Sequence, residues 1–383
     1  IKLSKRAHVC VGGCAGLWYV CSSQSVCRKE LARMSGDRQK PGNGAKKKAH
    51  QVVTSADVAR EAGVSRSTVS RCMADDERIS EATRKRVQET AAQLGYHVNK
   101  IASSMNRRKS DLIGLVTSGL TDPFRIEFLD CLISQIQQSG YRPLVIDVSD
   151  PDQMGISMLN LLQYQVAGVV VTSGSPSPEV GTHYLKRNVP VVLVNRAGRL
   201  EGADVINCDN VHGGELAADM LLKSGKKRLG FLNVRGGTYS GNVRGEAFVS
   251  RIAPRLADGE ISFTSLVCDS ADYDGGFHAG LKYLAGGEST PDAIFCAKDH
   301  IALGLMDAAR FELGLKVPGD LAVIGFDDIA AARQGAYQLT TVRQRADQLA
   351  EMTVERLRRR IGGDELGDER LVLPVEFIRR QTV

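Results

Sequence analysis

No run of 18 apolar residues occurs in the 383-residue chain, so the sequence holds no candidate membrane-spanning helix. Catalytic signatures are missing as well. There is no G-x-S-x-G nucleophile elbow. The glycine-rich "VRGGTYSGNVRGE" lacks both G-x-G-x-x-G and a following Lys-Ser/Thr, and reads as a turn before a helix. His183, His212, His278 and His300 show no metal-ligand spacing. Cys10, Cys14, Cys21 and Cys27 are spaced C-x3-C-x6-C-x5-C, without the paired short gaps of a structural zinc site. Cys72, Cys131, Cys208, Cys268 and Cys296 are scattered singly, mostly in apolar runs, which fits free thiols in a reducing cytoplasm. No enzyme activity, cofactor or metal is expected.

What is present is unevenly distributed charge. Residues 1–110 hold 22 Lys/Arg against 9 Asp/Glu, and residues 111–383 hold 28 against 35. A front third of +13 on a body of −7 points to a polyanionic partner for the front alone; a solvated basic face explains the charge equally well. Lys2, Lys5 and Arg6 before "VCVGGCAGLWYV" have the layout of a signal peptide. The preferred reading is that residues 1–33 lie upstream of the true start, because the chain opens on Ile1 and Met34 begins a Gly-, Lys- and Pro-rich stretch. Residues 1–53 then form a flexible basic extension.

"VTSADVAREAGVSRSTVSRCMADDERIS" at 53–80 predicts two short helices around a turn. Ser55 is placed to cap "ADVAREA", with Asp57 in its first turn. Gly63 ends that helix, Ser65 caps the next over 66–74, and Ser80 caps a third over 81–94. On the second, Val69, Cys72 and Met73 share one side at ~100° per residue. Arg66, Ser67, Ser70 and Arg71 occupy the other, with nothing acidic beside them. An α-helix fits the DNA major groove, where arginine can pair bidentately with guanine. A protein-binding three-helix bundle is the competing reading of these residues alone.

The wider pattern resembles the lactose-repressor (LacI/GalR) family of bacterial transcription regulators. "DVAREAGVSRSTVSR", "RISEATRKRVQETAAQLGYHVN", "DLIGLV", "DPF", "AGVVV", "VPVVLVNR", "FCAKDHIALGLMDA", "LAVIGFDD" and "LTTVRQ" follow its order over residues 54–383. The resemblance implies that Arg66, Ser67 and Arg71 read operator bases. It puts Ser65, Thr68, Ser70, Arg78, Thr83, Tyr96 and Asn99 on phosphates or the groove wall. Ala74 stands where the family usually has Asn, and Val98 where Pro commonly precedes the hinge. The resemblance also implies a hinge helix in 99–106, with Met105 as the minor-groove wedge, Ile101 one turn earlier, and Ala102 small enough for close pairing with a second subunit.

From Asp111 onward, apolar runs such as "LIGLV", "PLVIDV", "AGVVVT", "PVVLVN", "RLGFLN", "AIFCA" and "LAVIGF" alternate with helical segments at 124–139, 210–223, 240–253, 299–313 and 344–361. Uniformly apolar strands are those buried on both faces, so the pattern predicts a doubly wound α/β body. Its length predicts two lobes with a ligand cleft at the strands' carboxyl ends. The resemblance adds that each lobe is Rossmann-like, in the manner of periplasmic sugar-binding proteins. The fold expected is thus a three-helix helix-turn-helix domain over 54–98, a hinge over 99–110 and a two-lobed effector domain over 111–383.

Residues expected at strand ends are Ser118, Asp122, Phe124, Arg125, Asn195, Arg196, Arg244 and Asp299. By resemblance, Arg244 and Asp299 are the charged pair that holds effector hydroxyl or carboxylate groups, and Phe124 is an apolar wall. Lys298 replaces the usual Asn beside Asp299. Several arginines favour an anionic sugar derivative. With no heptad-bearing tail after "VEFIRR", a homodimer on pseudo-palindromic double-stranded operator DNA is expected. A secreted sugar-binding protein would explain only the body and residues 9–20. An enzyme would explain only the body. A cytoplasmic, nucleoid-associated repressor controlled by a sugar or sugar acid explains both halves.

Overall fold

The structure, a computed structural model, describes residues 53–97 and 110–383, apart from 75, 149, 151–152, 173, 175, 199, 288–289, 365–366 and 368. The chain separates into two compact units, residues 1–98 and 99–383. The expected extension before residue 53 and the hinge positions Asn99, Ala102 and Met105 lie outside the described residues.

The first unit has three helices: α1 (Ser55–Glu61), α2 (Arg66–Cys72) and α3 (Glu81–Leu94). Thr54, not Ser55, caps α1. Its backbone is extended, and its amide and hydroxyl both donate to the Asp57 carboxylate at 3.0 and 2.7 Å. Ser65 and Ser80 cap α2 and α3 as expected, accepting from the amides of Thr68 and Thr83. Gly63 turns the chain at φ +63°, a conformation that costs other residues a steric clash. Val58, Ala59, Ala62, Val69, Cys72, Val87 and Ala91 form the small core, with Val64, Met73, Leu94 and Tyr96 packed around it. The second helix ends two residues earlier than the sequence pattern predicts.

The second unit begins with β1 (Leu112–Thr117), α4 (Pro123–Gln138), β2 (Arg142–Asp147), α5 (Met154–Gln163), β3 (Gly168–Val171), α6 (Pro178–Leu185), β4 (Val191–Val194) and β5 (Ala203–Cys208). The chain continues through α7 (Asn210–Lys223), β6 (Arg228–Val234), α8 (Tyr239–Ala257), β7 (Ser262–Cys268), α9 (Tyr273–Tyr283) and β8 (Ala293–Cys296). Then come α10 (Asp299–Asp307), extended by a π-helical turn Ala308–Glu312, β9 (Ala322–Asp327), β10 (Thr340–Gln344), α11 (Ala346–Gly362), β11 (Arg370–Leu373) and β12 (Val375–Ile378).

These strands make two six-stranded sheets. The first has order β11-β5-β4-β3-β1-β2 and is parallel throughout; the second, β12-β10-β9-β8-β6-β7, is parallel except for its antiparallel edge strand β12. Each sheet is the floor of one lobe, as the alternating apolar runs predict. The chain passes between lobes at 208–210, 344–346 and 373–375. Such short connections are where a two-lobed protein hinges. Among the described residues, no helix is long and apolar enough to cross a membrane. Cys72, Cys208, Cys268 and Cys296 are buried free thiols, and Cys131 is half-buried.

One packing detail fixes the cleft. A Cβ on Gly304 of α10 would lie 1.9 Å from the Tyr273 carbonyl oxygen of α9, and one on Gly276 would lie 2.0 Å from that of Ile301. Backbone therefore meets backbone at this crossing, which sets where α10 begins, at the cleft. Gly304→Ala is expected to cost ~1–3 kcal/mol by overpacking and to weaken ligand binding together with stability. Denaturant unfolding with a parallel ligand titration checks this. Unchanged stability would mean that the two helices part without cost.

Candidate functional site

On α2, Arg66, Ser67, Ser70 and Arg71 are all exposed, while Val69 and Cys72 face inward. Ser65 Oγ lies 2.7 Å from Ser67 Oγ and 2.9 Å from Thr68 Oγ1, so the first turn is tied by hydroxyls rather than by a charge. Neither Arg66 nor Arg71 forms an ion pair among the described residues, which leaves two guanidinium groups available to an outside partner. Arg78 differs from expectation. It donates to Asp76 through Nε at 2.9 Å and Nη2 at 2.7 Å, so a phosphate would compete with a carboxylate for it. That pair is exposed and worth little to stability. Thr83 shares hydroxyl contact with Ser80 at 2.9 Å, and Tyr96 is half-buried at the rim of the core.

Between the two lobes of the second unit lies a cavity with about 580 Å³ of free space, counted to its open mouth. One wall carries Asp122, which caps α4, Phe124, Arg125 and Phe128 from α4, and Thr172, Asn195 and Arg196 from the turns after β3 and β4. The other carries Thr238, which caps α8, Ser240 and Arg244 from α8, Lys298 after β8 and Asp327 at the end of β9. Gln344, at the end of β10, stands at the crossing. Each of these strands contributes from its carboxyl end, where a doubly wound sheet leaves its crevice.

Arg244 is the best-anchored of these. It is 3% exposed, donates through Nε to Asn210 Oδ1 at 2.8 Å and through Nη1 to the Ala297 carbonyl at 2.7 Å, and lies 3.6 Å from Asp327. Its guanidinium stacks 3.4 Å above the Phe326 ring. Burial, opposed by Arg244, pushes Asp327 up to about 6. Gln344 Nε2 donates to Asp327 Oδ1 at 2.6 Å, and Asn195 Nδ2 reaches Gln344 Oε1 at 3.3 Å, so a hydrogen-bond chain links the lobes. Asn195 and Asp327 hold φ of +54° and +118°. Each such residue costs on the order of 1–3 kcal/mol, and such strain concentrates where ligands are gripped.

Of the sequence candidates, Asp122, Phe124, Arg125, Arg196 and Arg244 all come together on the cleft. Ser118 is not part of the wall; its carbonyl and hydroxyl accept from Arg125 Nη1 and so aim that side chain. Asp299 is a correction. It is wholly buried, with Oδ1 accepting from the Thr341 hydroxyl at 2.5 Å and Oδ2 from the Ile329 amide at 2.9 Å. Being the first residue of α10, it is turned into the lobe, and Asp327 takes the place at the cleft. The same strand-end rule applied to "LAVIGFDD" and "LTTVRQ" would have found Asp327 and Gln344.

Burial and the nearby Asp327 push Asp299 up to about 7. An unfolded aspartate titrates near ~3.9, so between about pH 4 and 7 the folded protein holds a proton that the unfolded chain has lost. Its contribution is therefore full below about pH 4 and is lost as pH rises through about 7. Asp299→Asn, which keeps the shape and two polar atoms, is expected to flatten this decline, whose slope within that window is on the order of 1.4 kcal/mol per pH unit. Stability of parent and variant measured across pH 4–8 checks it; parallel curves would refute the assignment.

An exposed, arginine-bearing reading helix in one unit and a charged interlobe cleft in the other define a ligand-regulated DNA-binding protein. Comparison with known proteins agrees. Residues 54–99 match the family "Bacterial regulatory proteins, lacI family", and residues 218–383 match "Periplasmic binding protein-like domain". The ribose operon repressor of Escherichia coli (strain K12) is 30% identical over 333 residues, which cover 86% of this chain and 99% of that one. The probable HTH-type transcriptional repressor ExuR of Bacillus subtilis (strain 168) is 28% identical over 87% of this chain and 98% of its own. The solved lac repressor dimer, bound to operator and the anti-inducer ONPF, has a TM-score of 0.76 at 26% identity, covering 87% of this chain and 99% of that one. The chain belongs to the lacI family of bacterial regulatory proteins and is a DNA-binding transcriptional regulator.

Proposed function

We propose that the protein is a cytoplasmic, nucleoid-associated repressor that binds a pseudo-palindromic operator as a homodimer and responds to a sugar or sugar acid in the interlobe cleft. Arg66, Ser67 and Arg71 read base edges, while Ser65, Thr68, Ser70, Thr83 and Tyr96 hold the DNA backbone, with Arg78 released from Asp76 to join them. Asn99, Ala102 and Met105 are assigned to the hinge by resemblance alone. Asp122, Phe124, Arg125, Arg196, Arg244, Lys298, Asp327 and Gln344 line the effector cleft. The lac repressor relative, named as a dimer on operator with an anti-inducer, supports the two-site reading.

The observation that carries it is the joint presence of a bare Arg/Ser face on α2 and a polar cleft at strand ends. A secreted binding protein would have no use for the first. Selection of binding sites from random duplexes tests the DNA half. A thermal-shift screen of sugars and sugar acids tests the other, since a ligand at 100 times its dissociation constant adds ~2.7 kcal/mol. A chain that selects no sequence, or whose operator complex ignores every cleft ligand, would refute the proposal.

A further inference from the structure

The cleft carries more positive charge than its own acids can balance. Four cations line it, Arg125, Arg196, Arg244 and Lys298, against two carboxylates, Asp122 and Asp327. Arg244 and Asp327 belong to the same lobe and neutralise each other at 3.6 Å. Lys298 Nζ reaches across to Asp122 Oδ2, a half-buried ion pair and the charged link between the two walls. Among the described residues, Arg125 and Arg196 have no carboxylate of their own. Arg125 Nη1 donates to Ser118 and Arg196 Nη2 to the Thr172 carbonyl, while Arg196 Nε is buried with no hydrogen-bond partner. Burial, assisted by the neighbouring Arg125, lowers Arg196 to about 10. Asp122 feels burial first, yet Lys298 and Arg125 together hold its carboxyl below the usual range. One carboxylate thus serves two or three cations at the mouth of the cleft.

Resting on the effector reading above, we infer that the cleft ligand carries an anionic group, a carboxylate or a phosphate, which displaces Asp122 from Lys298 and is held by Lys298, Arg125 and Arg196. In the unliganded cleft Asp122 stands in for that group and keeps the lobes linked. A neutral sugar cannot make this exchange: its hydroxyls can accept from Arg196 Nε, but they bring no charge to replace the Asp122 carboxylate on Lys298 and so leave the ion pair intact. Charge-assisted hydrogen bonds to a bidentate anion are about twice as strong as neutral ones, so the exchange also discriminates between a sugar and its acid. Ligand and latch compete for the same lysine, so occupancy of the cleft is coupled to how the lobes are joined. Such coupling acts only through the difference in affinity between the two arrangements.

Isothermal titration of the full chain at constant ionic strength tests this with inorganic phosphate, D-glucuronate, D-glucose 6-phosphate and D-glucose as probes. Asp122→Asn keeps the helix cap, because Asn can still accept the Arg125 amide that Asp122 Oδ1 now accepts at 3.2 Å. It removes the internal competitor. Phosphate is expected to bind Asp122→Asn about tenfold more tightly than the parent, and the gain is expected to vanish in Asp122→Asn/Lys298→Gln. Lys298→Gln alone is expected to weaken every anion by a larger factor than it changes D-glucose, which keeps the test valid even if Asp122→Asn folds poorly. Tighter glucuronate than glucose 6-phosphate marks a carboxylate ligand, and the reverse marks a phosphate ester. Equal phosphate affinity in parent and Asp122→Asn overturns the inference. So does D-glucose binding that matches or exceeds both anions; in that case the sugar-effector reading would stand. Anion binding that leaves operator affinity untouched would instead keep the anion site and remove the effector role.

Discussion

Arg244→Ala is expected to abolish the response to ligand and to lower the stability of the two-lobed unit by about 3–5 kcal/mol, the typical cost of breaking a buried, hydrogen-bonded charge pair. The arginine leaves behind a buried Asp327, a bare Ala297 carbonyl and an Asn210 Oδ1 held only by the Cys208 thiol, and it uncovers the face of Phe326. Asp327 would then protonate more readily, which recovers part of the loss at low pH. The signature is therefore a stability deficit that grows as pH rises through about 6, where the parent's Asp327 ionises, together with operator binding that no longer changes with ligand. Arg244→Lys should rescue little, since an ammonium cannot fork to Asn210 and Ala297 while stacking on the ring. Calorimetric unfolding and operator titrations on the same preparation would show both effects. Parent-like unfolding would displace Arg244 from the centre of the site.

The second large effect is expected on the other unit. Arg66→Ala should cost ~1–3 kcal/mol of operator affinity, about 5- to 150-fold, and relax base preference at one or two positions. The loss should fall on cognate sequences and spare non-specific duplexes, because Arg66 is in the first turn of α2 and has no acidic partner among the described residues. The fold should not change: Arg66 is exposed and the core residues Val69 and Cys72 are untouched. Arg78→Ala offers the contrast. It loses a surface pair with Asp76 and a phosphate contact, so it should weaken all sequences alike and reduce the salt dependence by about one counterion. Selection of operator variants with each protein separates the two. If Arg66→Ala keeps the parent's preference, Arg66 does not read bases.

Much of the fold was legible because buried parallel strands announce themselves as continuous apolar runs, and all seven so marked are strands of the two sheets. The strands that escaped notice break that rule for identifiable reasons. β5, "ADVINC", contains Asp204, which is fully buried and bonded to Arg356 and Arg360 of α11. Those partners lie 152 and 156 residues away, so a local reading sees only a charge that does not belong in a core. β7 is an edge strand with several exposed residues, and its "SFTSLVC" mixes polar and apolar positions accordingly. The helix α9, "YDGGFHAGLKY", has three glycines, each costing ~1 kcal/mol of helix propensity. Two of them, Gly276 and Gly280, let α10 and its extension pack close, while Gly275 clears the Ser270 carbonyl.

The site was legible to the same depth. Charge segregation and the bare face of α2 located the DNA-reading side, and strand ends located the cleft. Choosing between Asp299 and Asp327 was beyond the sequence. Both follow apolar strands, and only tertiary partners tell them apart: Thr341 and Ile329 draw Asp299 inward, whereas Gln344 and Arg244 hold Asp327 at the cavity. The role of Lys298 was equally hidden, because its partner Asp122 is 176 residues earlier and in the opposite lobe.

The central claim is that one chain reads DNA with its first unit and is controlled through the cleft of its second. The most direct test is the dissociation constant of the intact protein for a selected operator, measured with and without a saturating cleft ligand. Sequence-specific binding that shifts about 5- to 150-fold on ligand addition, the range of a typical allosteric coupling, is the predicted result. An operator affinity that stays the same with the cleft demonstrably filled would contradict it.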